Sequence, residues 1–174
     1  MIVKVNVVNY NEYWIELFEV EAKNLKVILG DQQVDIHHIG STSVPGLRAK
    51  PIIDIMPVVH RIDLVDTYNP QMERLGYECM GEFGMPGRRY FRKGGDDRTH
   101  QIHIFEAGDV NVARHLAFRD YLRTHPEDAA KYASLKTELA QKFPNDIQSY
   151  SYGKDALVKE IEAKALTWYE GQKS

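Results

Sequence analysis

An α+β fold, a small mixed sheet with helices grouped towards the C-terminal end, is what this sequence predicts, on three observations. Apolar residues recur at helical spacing near the start, at Trp14, Leu17, Phe18, Ala22, Leu25 and Leu29. Between residues 35 and 106, short β-branched runs alternate with glycine-containing turns. After Gly108 the texture turns helical. The 174 residues, 43% hydrophobic and 27% charged, suffice to bury one core, and no repeat or Pro/Ser-rich linker marks a second. We therefore expect one domain over 1–174, with a sheet-containing core over about 1–108 and a helical part over about 109–174.

The first helix ends at Gly30, a C-terminal stop. Asp35 to Ile39 reads as a strand running into Gly40-Ser41, with a helix start over Ser41, Thr42 and Ser43. Pro51 to Val59 is a nearly continuous apolar run whose β-branched content favours a buried strand. Arg61 to Leu75 reads as a helix interrupted at Pro70, which cannot sit in a helix interior. Three strands follow, Tyr77 to Glu82, Arg88 to Lys93 and Thr99 to Glu106, and Gly94-Gly95-Asp96-Asp97 supplies the hairpin between the last two. Val112 to Arg123, Pro126 to Phe143 and Lys154 to Tyr169 complete the chain as helices, with Pro126 suited to a first helical position.

Composition excludes several classes. The lone Cys79 can form neither an internal disulfide nor a multi-cysteine zinc site, which fits a reducing, cytoplasmic setting. No apolar run reaches the roughly 20 residues of a membrane span, and the N-terminus has no apolar core of a secretion signal. Net charge is −3, so no global field draws the chain to nucleic acid or a membrane. A phosphorylated ligand has to be held by a local basic cluster.

The chemistry concentrates in HIGSTSVPGLRAKPIIDIMP, from His38 to Pro57. Gly40 permits a tight turn at a strand end, and Ser41, Thr42 and Ser43 offer hydroxyls and backbone N–H groups suited to phosphate oxygens. Arg48 and Lys50 add positive charge a few residues on. Asp54 lies between Ile53 and Ile55, so with the isoleucines in the core its carboxylate faces away from them. The bland alternative is a capped turn and an Asp in a salt bridge. In RRYFRK, Arg88, Tyr90 and Arg92 share a face opposite Phe91, which makes either a phosphate clamp or a charged edge strand. A transition metal on Asp54, His103 and one of His37 or His38 is a further alternative, as is hydrogen bonding alone. Arg119 and Asp120 read either as a structural ion pair or as substrate-binding groups, and Tyr132, Leu135, Leu139 and Phe143 as a packing stripe. Tyr150, Tyr152 and Lys154 are placed at one side of the cleft. No P-loop, dinucleotide fingerprint or nucleophile elbow occurs.

GSTSVPGLRAKPIIDI, together with RRYFRK, THQIHIFE and RHLAFRDYLRTHPEDAAKY, resembles the GrpB family of the nucleotidyltransferase superfamily over most of the chain. The resemblance implies a nucleotidyltransferase-like mixed sheet, a Gly-Ser turn at a strand end and acidic metal ligands on neighbouring strands. Relatives also occur appended to dephospho-CoA kinase, which implies nucleotide or coenzyme A chemistry. Asp54 matches the first ligand of the superfamily's Asp-x-Asp, but Met56 stands at the second, and His103, flanked by isoleucines as Asp54 is, stands at the third. A thioether does not hold magnesium. Two functions follow. One is transfer of a nucleotidyl or phosphoryl group to a small acceptor, with Asp54 and His103 catalytic and Asp54 on Mg²⁺ or Mn²⁺. Gly40, Ser41, Thr42, Ser43, Arg48, Lys50, Arg88 and Arg92 would then hold phosphate. The other is a binding module that keeps the same cleft for a nucleotide or phosphometabolite without turnover.

Overall fold

Alternation at Ile53-Asp54-Ile55 and Ile102-His103-Ile104 sorts the sheet into two unlike faces. The computed structural model describes residues 4–172. Helix α1 (Tyr13–Leu29) leads into strand β1 (Gln33–Ile39), the one-turn 3-10 segment Ser41–Ser43 and strand β2 (Ile53–Val59). A longer 3-10 segment, Ile62–Tyr68, and helix α2 (Asn69–Arg74) precede strands β3 (Glu78–Cys79), β4 (Arg89–Lys93) and β5 (His100–Glu106). Helices α3 (Val110–Thr124), α4 (Pro126–Lys142) and α5 (Ile147–Gln172) finish the described residues. The strands lie in the order β1-β2-β5-β4-β3, with β2 and β5 parallel and every other pair antiparallel.

One face carries Ile53, Ile55, Ile102, Ile104 and Phe91, all buried against Trp14, Leu25 and Leu29 of α1 and against Val65, Met72 and Tyr77. On the other face Ile39, Met56 and Phe105 are buried under Val112 and Leu116 of α3. The three C-terminal helices share a further cluster of Ala117, Tyr121, Leu122, Tyr132, Ile161 and Ala165, which also takes Val44 and Leu47. The loop after Ser41–Ser43 is thereby anchored on the helices. Among the described residues no helix is long and apolar enough to cross a membrane.

Three boundaries differ from expectation, each for a physical reason. Arg61 to Leu75 divides beside Pro70 into the 3-10 segment Ile62–Tyr68 and α2, and Pro70 itself occupies the first turn of α2, where its missing N–H costs nothing. The strand expected over Tyr77 to Glu82 shrinks to Glu78–Cys79, because Tyr77 turns inward and Gly81 takes a positive φ. The last helix starts at Ile147, earlier than Lys154, because Asp146 accepts hydrogen bonds from the Ser149 N–H (3.1 Å) and hydroxyl (2.6 Å). Gly153 sits inside this helix instead of breaking it. A Cβ there would lie 2.6 Å from Leu139 Cδ2, so glycine permits the close approach of α5 to α4.

Glu21 is a carboxylate buried within α1, accepting from the Tyr77 hydroxyl (2.6 Å), Lys93 Nζ (2.6 Å) and Asn24 Nδ2 (3.0 Å). Burial pushes its pKa up, but hydrogen bonds from Asn24, Lys93 and Tyr77 outweigh burial and hold it below the usual range. Glu21→Ala leaves Lys93 and Tyr77 unpaired and is expected to lower stability by about 3 kcal/mol, read as a drop in urea midpoint at unchanged m.

Candidate functional site

The end of β1 turns through Gly40, whose φ of 73° and ψ of −176° fall in a region essentially closed to other residues. A Cβ here would lie 2.5 Å from Asp54 Oδ2, so the turn seats itself on that carboxylate. The three hydroxyls that follow have different fates. Ser43 is buried, donating its hydroxyl to Gly40 O at 2.5 Å, while its own carbonyl accepts from Arg123 of α3 at 2.8 and 3.0 Å. Thr42 is buried too, donating to Ile52 O at 3.1 Å and meeting His38 Nε2 at 3.0 Å. His38, stacked on Phe18, has its pKa lowered by burial to about 4, so at neutral pH it serves Thr42 as an uncharged ring. Ser41 alone of the three is not buried, and Lys136 Nζ donates to its hydroxyl at 2.9 Å.

Asp54 and Gln101 are register neighbours on the parallel strands, and His103 lies two residues further on the same face. His103 Nε2 is 3.0 Å from Asp54 Oδ1. Oriented to satisfy both neighbours, the Gln101 amide donates to the same oxygen at 2.9 Å and accepts from Arg98 at 3.2 Å. A carboxylate oxygen accepts, so Nε2 is the donor, and His103 Nδ1 is buried without a hydrogen-bond partner. The ring lies between Tyr90 (5.4 Å) and His115 (5.9 Å). Burial, then the neighbouring Arg114, pushes the pKa of His115 down to about 3.

The position expected for a second carboxylate is closed. Met56 is fully buried with Ile39 and Phe105 beneath α3. His37 turns to Asp35 at 3.4 Å, and His38 faces with its cross-strand neighbour Ile55 onto the other side of the sheet. Among the described residues no group of three or more His, Cys, Asp or Glu is placed to hold a metal ion.

The expected basic residues separate. Arg48 binds the Asn9 side chain, Val7 O (3.2 Å) and Thr137 Oγ1 (3.1 Å), tying the N-terminal segment to α4. Arg88 donates to the carbonyls of Glu82 (3.3 Å) and Phe83 (3.0 Å) and covers the Tyr90 ring. Arg92 pairs with Glu78 at 2.7 Å, its register partner on β3. Both guanidiniums of the expected clamp are thus engaged around β3 and β4. Lys50 does face the site: its Nζ stands 5.2 Å over Tyr150, and its pKa is lowered to about 8 by burial and by Lys154, with Asp54 acting the other way. Sequence reading passed over Lys136, which is 2% exposed and lies 4.3 Å over Tyr132. The available signal was its place at i+4 from Tyr132, on the buried stripe of α4. An open cavity of about 520 Å³ adjoins Lys50, lined also by Ile52, Arg98, Thr99, Val5 and Pro144.

A family model described as GrpB protein matches residues 4–164. The UPF0157 protein YqkA of Bacillus subtilis is 47% identical over 169 residues, 97% of this chain and 49% of that protein, so the chain spans about half the length of this relative. The crystal structure of conserved protein GrpB from Enterococcus faecalis superposes with a TM-score of 0.92 at 50% identity, covering 94% of this chain and 99% of that one. Cid1 in complex with the UTP analogue UMPNPP gives a TM-score of 0.53 at 13% identity, covering 84% and 48%, a likeness of nucleotidyltransferase-type fold alone. A dephospho-CoA kinase of Mycolicibacterium paratuberculosis is 23% identical over 172 residues, 84% of this chain and 42% of that enzyme. On the span of the family model and the identity to these relatives, the chain belongs to the GrpB family (UPF0157).

Proposed function

We propose that the chain binds a nucleotide or a related phosphorylated metabolite in the cleft between the Ser41 turn and the C-terminal helices. The observation that carries this reading is the turn itself. Gly40 is seated on Asp54, and Ser41, the one residue of the three that is not buried, has the Lys136 amine 2.9 Å from its hydroxyl. Ser41 and the turn would take phosphate oxygens, Lys50 would add charge, and Asp54 would meet a cation carried by the ligand. The fold supports the reading, since Cid1, which shares it, is described in complex with a UTP analogue and bound to MgATP. Dephospho-CoA kinase relatives add coenzyme A precursors to the ligands worth testing.

Group transfer by two magnesium ions fits these residues poorly. Two ions need several anionic oxygens, and this site offers one carboxylate, an imidazole and an amide. His103 is better suited to orienting Asp54 than to taking a substrate proton, because its only unbonded nitrogen is buried. We therefore favour a binding module over a transferase.

Thermal unfolding with nucleoside mono-, di- and triphosphates, coenzyme A and dephospho-CoA, each with and without Mg²⁺ or Mn²⁺, tests both halves. A ligand at a hundred times its Kd should raise Tm by about 5–10 °C. Silence across the whole panel would sink the binding reading. Rapid pyrophosphate release from a triphosphate with magnesium alone would replace the module by an enzyme.

A further inference from the structure

Three lysines from three elements meet without a matching anion. Lys50 comes from the loop ahead of β2, Lys136 from α4 and Lys154 from α5. Lys136 Nζ touches Ser41 Oγ at 2.9 Å and stands 4.3 Å over the Tyr132 ring. Lys154 Nζ lies 6.0 Å from that ring and 5.5 Å from the Tyr150 ring, which Lys50 also covers at 5.2 Å. Among the described residues none of the three is in an ion pair, whereas Lys93, Lys159 and Lys164 all are. A buried ammonium without a carboxylate is costly, and like charges beside it raise the cost. A multiply charged anion entering the cluster offsets both terms at once.

We propose that Lys50, Lys136 and Lys154, with the Ser41 hydroxyl, form a subsite for two or more linked phosphates, as in the diphosphate or triphosphate of a nucleotide or coenzyme. This deepens the nucleotide reading above and rests on it for the rest of the ligand. Cations presented by a loop and two helices suit the extended charge of a polyphosphate, where a lone phosphate would engage only part of the set. Neither Lys136 nor Lys154 was among the phosphate-binding residues expected from sequence.

A thermodynamic signature follows. In the empty protein burial, then Lys154 and Lys50, lowers the pKa of Lys136 to about 7. The other groups facing the cluster are Ser41, the rings of Tyr132 and Tyr150, Asp54, which acts favourably on Lys50, and Arg98, which acts against it. At pH 8 much of Lys136 is therefore uncharged, and a polyanion that favours the ammonium must draw a proton from solvent. Binding should take up protons, and affinity should fall as pH rises from about 7 to 9.

Calorimetric titration of the full chain at pH 8 with orthophosphate, pyrophosphate and tripolyphosphate, in two buffers of different ionisation enthalpy, tests this. Tripolyphosphate should bind at least about tenfold more tightly than orthophosphate, with net proton uptake. Lys136→Met should weaken tripolyphosphate by at least about tenfold and reduce the uptake to the part that Lys50 contributes. Lys154→Met, at a less buried position, should repeat the loss of affinity and guards against a folding effect of the first variant. Equal affinity for the three phosphates, or full affinity in both variants, overturns the subsite. Nucleoside phosphates that bind but are not displaced by tripolyphosphate overturn it too, and leave the nucleotide reading intact. Tripolyphosphate binding that no nucleoside or coenzyme moiety improves supports the subsite and sinks the nucleotide reading.

Discussion

Gly40→Ala should destabilise the protein by about 3 kcal/mol, a fall of roughly 6–12 °C in Tm, and should remove ligand binding with it. Two costs add at one atom. The backbone at φ 73° and ψ −176° is strained for any residue with a Cβ, and that Cβ would stand 2.5 Å from Asp54 Oδ2 and 3.0 Å from Asp54 Cβ. Asp54 cannot retreat freely, because His103 and Gln101 both hold its other oxygen. Urea unfolding of Gly40→Ala and of Gly40→Ala/Asp54→Gly separates the terms, since the second variant removes the clash and keeps the backbone strain. If the single variant matches wild type in midpoint, the turn is not seated as described.

Met56→Asp is expected to cost about 4 kcal/mol without creating a magnesium site. On sequence grounds alone the substitution restores an Asp-x-Asp pair and should raise magnesium affinity. The structure argues otherwise. Met56 is 0% exposed and packs with Ile39 and Phe105 beneath Val112 and Leu116, so a carboxylate there meets no partner and no solvent. It would be forced to take a proton or to disrupt the α3 contact. The measurement is urea unfolding with and without 10-fold steps of Mg²⁺ over about three decades. Stabilisation of the variant by magnesium, absent from wild type, would show that the position opens onto the cleft after all.

What the sequence made legible was local. Alternation around Asp54 and His103 is a property of one strand at a time, so placing both away from the isoleucines required no tertiary knowledge. Their 3.0 Å contact did require it, because it depends on β2 lying beside β5. The Gly-Ser turn was readable for the same local reason, but not the division of labour among Ser41, Thr42 and Ser43, which is decided by Ile52 O, His38 and Arg123. Charges could be counted and not paired: Glu78, Asn9 and the Phe83 carbonyl take Arg92, Arg48 and Arg88. Lys136 was hidden for a converse reason, since a lysine within an apolar stripe reads as an interruption of packing, while here it is buried over Tyr132 with its amine on Ser41. That Gly153 belongs to the last helix was not readable either, because its purpose, room for Leu139, lies on another helix.

The parallel pairing of β2 with β5 has a consequence for how the molecule assembles. The other paired strands are neighbours in sequence, β1 with β2, β3 with β4 and β4 with β5, but the second partner of β2 begins only at His100. Contacts of such long sequence separation are slow to form, because loop-closure entropy is lost before they return anything. Asp54 lies on one of these two strands, Gln101 and His103 on the other. The cleft therefore has no precursor in any local fragment. It comes into being only when β2 and β5 have paired.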